Sequence, residues 1–411
     1  IASGVNDHSV HEIVWYKRTF QKPEHQPDEN ILLHFGAVDF QSTVWINNQE
    51  IGGNTGGHVP FSFDITPYVT AGENTLTVRV YDGQDARQPR GKQSVSGRSE
   101  YIDYHCTTGI WQTVWLEVVP IMRIDDIRIT PLVQENCFSI TSILHAPTMR
   151  WQLEIAIFDE GHEIVRVSKE SNAAVISMRI PLDYPKLWSP DNPHLYTFEV
   201  SLASNGKVHD CITSYGGLRE IRIDGNTLLF NNEPLYLAMV LDQGYWPESG
   251  LTAPTDAAMR KDVQIMKRYG FNGCRKHQKI EDPRWLYWCD KLGLLVWSEM
   301  ANARAWDSQA EQWLLAEWER AIRRDYNHPS IVAWVPMNES WGVSGLHDDH
   351  PGQFAYIEHI VTTTRRLDST RPVVDNDGWE HTDITDMCTL HDYTPNSSKL
   401  KDRYHSMITE G

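Results

Sequence analysis

Positive charge, grouped cysteine and long apolar runs are all scarce in this chain. Its 411 residues carry 37 Lys and Arg against 55 Asp and Glu, a formal charge of −18. That balance argues against nucleic-acid and anionic-membrane partners, because both need clustered Lys and Arg. The six cysteines, Cys106, Cys137, Cys211, Cys274, Cys289 and Cys388, show no C-x-x-C spacing, so neither a zinc knuckle nor a disulfide framework is indicated. Free thiols are expected, and they favour a cytoplasmic setting; a signal peptide removed ahead of Ile1 would instead make the protein secreted or periplasmic. No apolar run reaches the ~18 residues of a membrane helix. Absent too are a G-x-S-x-G elbow, a G-x-G-x-x-G turn and a P-loop, which speaks against a serine hydrolase and against nucleotide cofactors. No cofactor is expected, and a homo-oligomer stays open.

What is present is enough apolar residue, 40%, to build ordinary cores in two or three domains. Sixteen tryptophans stand out. Most are expected to be core: Trp45 and Trp115 sit in alternating strand patterns, and Trp285, Trp288, Trp313 and Trp318 at helical spacing. Trp341 and Trp379 lie beside polar loop residues instead, where an indole face can stack on the flat C–H face of a sugar.

Three segments follow one another. Residues 1–120 alternate in short runs such as Thr43-Val44-Trp45-Ile46-Asn47 between Gly-, Asn- and Pro-rich turns, the pattern of a β-sandwich or jelly roll. Residues 121–216 carry shorter, more polar strands and the Pro-rich stretch Tyr184 to Pro193, which suggests an immunoglobulin-like sandwich bracing its neighbours. From 217 to 411 strands alternate with helices, as in a parallel barrel. The expected strands are 235–241, 272–277, 294–299, 331–337, 372–376 and 387–391, with helices from Asp256, after Pro283, near 308–326, near 352–367 and from Ser397. Each strand ends in polar residues: Asp242-Gln243, Arg275-Lys276-His277, Glu299, Asn338-Glu339, Asp375-Asn376-Asp377 and His391-Asp392-Tyr393. Convergence of such groups at strand C-termini is what a barrel active site requires. The pattern stops short of a closed (β/α)8 barrel and would leave open edges, so the barrel reads as incomplete and the chain as part of a longer protein.

The most informative stretch is Trp334-Val335-Pro336-Met337-Asn338-Glu339-Ser340-Trp341-Gly342, in which Asn-Glu closes an apolar strand. Glu339 there reads as a catalytic acid whose pKa the flanking Trp334 and Trp341 would raise by excluding water, and Asn338 as a hold for a substrate hydroxyl. An Asn-Glu after a strand also suits a helix N-cap region. Upstream lies Arg324-Asp325-Tyr326-Asn327-His328-Pro329-Ser330-Ile331-Val332. The combined stretch resembles the acid/base region of glycoside hydrolase family 2, which includes β-galactosidases, β-glucuronidases and β-mannosidases. Gly56-Gly57-His58-Val59-Pro60-Phe61 and Gly109-Ile110-Trp111-Gln112-Thr113-Val114-Trp115 resemble its sugar-binding domain, and Trp188-Ser189-Pro190 its middle domain.

That resemblance implies a retaining exo-β-glycosidase, β-galactosidase-like, acting on a terminal β-linked sugar, with Glu339 as general acid/base and Asn338 on the 2-hydroxyl. A β-glucuronidase or β-mannosidase of the same family, or a non-catalytic carbohydrate-binding protein, are the alternatives. Further substrate-binding candidates are Asp242, Arg275, His277, Trp341, Asp375, Trp379 and His391; Asp242 equally suits a salt bridge to Arg275, and Glu299 suits orienting that arginine. The family's Arg and His at the second strand are spaced by three residues, whereas Arg275 and His277 are two apart. Retaining hydrolysis needs a second carboxyl about 5 Å from the first. Thr409-Glu410-Gly411 imitates the family's nucleophile context, but Leu400, Tyr404 and Met407 share a helical face ahead of it, which puts Glu410 on a helix and the nucleophile beyond Gly411. His347-Asp348-Asp349-His350 offers metal-ligating groups in a polar loop without an apolar surround, so no metal is expected.

Overall fold

The computed structural model describes residues 9–145, 150–348 and 350–410. The first segment is a sandwich of two antiparallel sheets. One orders its strands Ile13–Gln21, Glu73–Tyr81, Gln41–Ile46 and Gln49–Thr55; the other orders Phe61–Asp64, Glu29–Phe35 and Val114–Pro120. Period-two alternation sends Val44 and Ile46 inward to meet Ile31, Leu33, Phe35, Val78 and Val80. Trp45 and Trp115 are not core. They fall on the opposite phase of the same alternation: Trp45 stacks outside on Trp15, and Trp115, 42% exposed, stacks on His34.

The middle sandwich packs Arg123–Leu132, Cys137–His145 and Val175–Pro181 against His162–Ser171, Trp151–Asp159, Tyr196–Ser204 and Lys207–Gly216. It grips the third segment by hydrogen bonds. Trp188 Nε1 donates to the Asp290 carbonyl at 2.8 Å, and Asn327 spans the joint, accepting from Ile129 N and donating to Ile127 O, each at 2.7 Å.

Four parallel strands build the third segment's sheet: β1 (Met239–Asp242), β2 (Gly273–Lys276), β3 (Leu295–Glu299) and β4 (Ile331–Val335). Their helices are α1 (Asp256–Arg268), α2 (Pro283–Leu292), α3 (Ser308–Asp325), α4 (Pro351–Leu367) and, at the end, α5 (Ser397–Glu410). Local chemistry sets the boundaries. Thr255, Asp282 and Asp307 cap the first three helices through their side chains, Pro283 starts α2, and Gly293 ends it with φ at 75°.

Three strand expectations need correction. The first strand begins at Met239, because residues 221–234 form a separate antiparallel run, Ile221–Asp224, Thr227–Phe230 and Glu233–Pro234. Its Ile221 and Phe230 pack with Trp188 against Leu295 and Val332, closing the foot of the sheet. Beyond β4 the pairing frays into an isolated bridge, Trp334 to Val373, and a two-residue pairing of Met337–Asn338 with Asn376–Asp377. Residues 387–391 make no strand: among the described residues main-chain bonds remain only from Asp386 N to Val373 O and from His391 N to Gly378 O, and side chains stand in elsewhere, with Gly378 N donating to Thr389 Oγ1 at 2.8 Å and Val373 N to Asp386 Oδ2 at 2.7 Å.

Candidate active site

Strand β4 is buried along its whole length, and its two faces go separate ways. Val332 points to the foot of the sheet, while Trp334 packs edge-on against Trp318 of α3 and donates to Asp368 at 2.8 Å. Trp334 therefore lies on the helix side and does not flank Glu339, contrary to the expectation from its spacing. After Pro336 the chain bends: Glu339 and Ser340 are consecutive left-handed residues, with φ of 48° and 54°. Two non-glycine residues in that region are costly, and such strain concentrates at functional sites. Bonds from Glu339 N to Asp377 O (3.0 Å), Ser340 N to Asn376 Oδ1 (2.9 Å) and Trp341 N to Asn338 O (3.0 Å) hold the bend. The bend turns the half-buried Glu339 carboxylate into the mouth at the strand C-termini.

There Glu339 Oε1 accepts from His391 Nδ1 and from the Tyr393 hydroxyl, both at 2.6 Å. Burial pushes its pKa up, but these two hydrogen bonds and the nearby His391 and His277 more than offset that, leaving the carboxyl below its ordinary range. The expected upward shift is thus reversed in this form of the site. Removing either donor, or sealing the mouth with a ligand, would move it back.

Arg275 anchors the centre. Its Nη1 pairs with Asp377 and lies 3.5 Å from Glu299 Oε2, 3.2 Å from Asn338 Oδ1 and 3.1 Å from His391 Nε2. Because a guanidinium only donates, Asn338 must turn its oxygen to Arg275 and its amide nitrogen away. That buried nitrogen has no hydrogen-bond partner among the described residues. Gly378 makes room for His391: its φ is 95°, and a Cβ there would lie 2.3 Å from the imidazole.

The structure brings Glu339, Asn338, Arg275 and His391 together, with Asp377 as a member that sequence reasoning left aside in favour of Asp375. His277 Nδ1 lies 2.8 Å from Glu299 Oε1, and its ring meets Trp341 edge-on. Asp242 pairs with Lys276 rather than Arg275, since adjacent parallel strands put Lys276 beside it. Asp375 is fully buried, and its carboxylate accepts from His381 at 2.5 Å, from Thr382 N at 2.6 Å and from Thr382 Oγ1 at 2.7 Å. Trp379, 46% exposed, stays at the rim. Of the polar run after β4, His347 pairs with Glu380 and His350 caps α4, and Asp349 lies outside the described residues. Glu410 closes α5.

The mouth has a second wall, which no barrel pattern announces. Residues 82–107 of the first sandwich reach into it: Ala86 O accepts from Arg304 N and Ala305 N at 2.7 and 2.9 Å, Gly91 N donates to Asn302 O at 3.0 Å, and Tyr104 donates to Gln243 at 2.6 Å. The same sandwich docks on α3 through the Gly56 to Pro60 stretch. His58 N donates to the buried Glu317 at 2.6 Å, and Gly56, with φ of 124°, has room for no Cβ against Glu317.

Comparison with known families gives the same three-part order. Residues 4–120 match the glycosyl hydrolases family 2 sugar binding domain, 122–219 the glycosyl hydrolases family 2 domain that follows it, and 221–407 the family's TIM barrel domain. The chain belongs to glycoside hydrolase family 2. Among family 2 relatives, a β-galactosidase of Thermoanaerobacter pseudethanolicus is 29% identical over 379 residues, covering 88% of this chain and 48% of that protein. A β-glucuronidase of the dog is 26% identical over 408 residues, 89% of this chain and 60% of its own. The crystal structure of a β-glucuronidase from Bacteroides uniformis superposes with a TM-score of 0.77 at 25% identity, over 90% of this chain and 47% of that one. This family 2 chain spans about half the length of the curated relatives it matches.

Proposed function

We propose that this site belongs to a retaining exo-β-glycosidase in which Glu339 is the general acid/base. The observation that carries the reading is the strained bend at Glu339 and Ser340, which aims one half-buried carboxyl into the mouth beside an Asn338 amide with nothing to bind. In the first step Glu339 gives its proton to the glycosidic oxygen as the bond breaks; in the second it takes a proton from the attacking water. Asn338, oriented by Arg275, donates to the sugar's 2-hydroxyl, a contact that tightens as positive charge develops on the ring. Glu410 is not proposed as the nucleophile, because it closes a helix rather than a strand. The second carboxyl is proposed to lie outside the described residues. Which sugar is cleaved, galactoside, glucuronide or mannoside, is not settled by Glu339 and Asn338, since both act at positions common to all three.

Glu339→Gln in the full-length gene product is the test. Turnover of substrates with poor leaving groups should fall by about 10²- to 10⁴-fold. Dinitrophenyl glycosides, which need little acid help, should lose less, and azide should restore turnover by forming a β-glycosyl azide. Equal loss on both substrate types without azide rescue removes Glu339 from the role. No turnover by the unaltered protein on any aryl β-glycoside favours the carbohydrate-binding reading.

A further inference from the structure

Lys92 of the first sandwich is 5% exposed, yet its ammonium pairs with no carboxylate and donates no hydrogen bond among the described residues. It stands 4.7 Å from the ring centroid of Trp341, and the guanidinium carbon of Arg304 stands 3.7 Å from the same centroid. Arg304 is only partly satisfied: one nitrogen reaches Asp103 at 2.5 Å, while its buried Nε has no hydrogen-bond partner among the described residues. Two cations thus converge on one indole, each keeping donors unused. Buried donors are ordinarily satisfied, and a desolvated charge ordinarily has a counter-charge. The indole face attracts both cations but accepts no conventional hydrogen bond from either. Burial and then the neighbouring Arg304 press the Lys92 ammonium toward losing its proton, against a weaker opposing pull from the carboxylates of Asp103, Glu339 and Glu299. The arrangement is complementary to a group with negative charge and several acceptor oxygens.

We infer that Lys92 and Arg304 recognise an anionic substituent, a carboxylate or a sulfate ester, on the sugar that enters against Trp341. The inference rests on the reading of this mouth as a sugar site and deepens it to acidic sugars. Asn338 and Glu339 lie on the same turn of chain as Trp341, and the sandwich rather than the barrel contributes one of the two charges. Lys92 and Arg304 are then specificity-determining residues.

The test compares the full-length protein on neutral aryl β-glycosides, on the matching β-uronides and on their 6-sulfated counterparts, with calorimetric binding of the corresponding free sugars on the same preparations. One acidic series should exceed its neutral counterpart by about 10-fold or more, and Lys92→Met should erase that ratio while Lys92→Arg keeps most of it. Preference for uronides assigns a carboxylate, and preference for the sulfated series assigns a sulfate ester. A merely structural role for Lys92 would lower acidic and neutral sugars alike, and that result overturns the inference. So does a wild-type protein that turns over or binds neutral sugars as well as acidic ones, an outcome that leaves the hydrolase reading standing. Acid-selective binding without turnover supports the inference and removes the hydrolase instead.

Discussion

The two flanks of β4 are built by different means. Toward β3 the pairing is main chain throughout, with Trp297 opposite Ala333, Ser298 opposite Trp334 and Glu299 opposite Val335. Toward residues 372–393 the main-chain bonds are scattered, Trp334 N to Pro372 O, Val374 N to Trp334 O and Glu339 N to Asp377 O, and side chains complete the structure: Asp375 ties down His381 and Thr382, Thr389 takes the amide of Gly378, and Asn376 holds Ser340. The groups that touch Glu339, His391 and Tyr393, both come from the second flank. The carboxyl proposed to change its protonation state thus sits on the bend just after a buried strand, with both of its hydrogen-bond donors supplied by the less regular of its two neighbours.

Arg275 joins the flanks, reaching Glu299 on one and Asp377 on the other. Arg275→Met should be the most damaging change, costing about 3 to 5 kcal/mol in urea unfolding because two buried carboxylates lose their counter-charge. A loss under about 1 kcal/mol would mean the flanks are not coupled there.

Asp375→Ala should cost less, about 2 to 3 kcal/mol, by stranding the Thr382 and Asn376 amides. Amide exchange should rise across 376–391 while β3 stays protected; equal loosening of both flanks would erase the contrast between them. Burial alone would raise the Asp375 pKa, but the His381 and Thr382 hydrogen bonds hold it below the ordinary range. A carboxyl depressed in the folded state contributes stability that is full above its unfolded pKa and lost as pH falls through the folded one. The variant should accordingly show a shallower acid limb of stability than the parent.

Tyr393→Phe is the mildest. Tyr393 is 79% exposed, so stability should move by less than about 0.5 kcal/mol. Its hydroxyl stabilises the ionised Glu339, so removal raises that pKa. Since the proposed acid must be protonated to act, the alkaline limb of kcat/KM should shift to higher pH; an unmoved limb would mean Tyr393 does not govern Glu339.

The contrast between flanks also marks what sequence could reveal. Strands held by ladders leave an apolar signature, and the four of them from Met239 to Val335 lie within a few residues of where the pattern puts them, as do α1 to α4. Residues 387–391 alternate like a strand, but alternation does not report that Thr389 and Asp386 side chains replace the rungs. Glu339, Asn338, Arg275 and His391 were legible because each closes a periodic run. Asp377 was passed over because Asp375, two residues earlier, falls on the same phase of the strand. Lys92 and Arg304 had no such signal: neither ends a strand of the barrel, and their meeting at Trp341 depends on how two domains dock. Part of the recognised motif turned out to be joinery, since Asn327 and the Gly56 to Pro60 stretch bind domains together rather than touch the mouth.

The reach of residues 82–107 into the barrel mouth has an evolutionary consequence. A gene segment encoding the first sandwich carries one wall of the mouth with it, so exchanging that segment would alter the wall and leave the proposed acid/base in place. On the proposed reading, sugar preference and acid/base chemistry would then be encoded in separate stretches of the gene, one in the sandwich and one in the barrel.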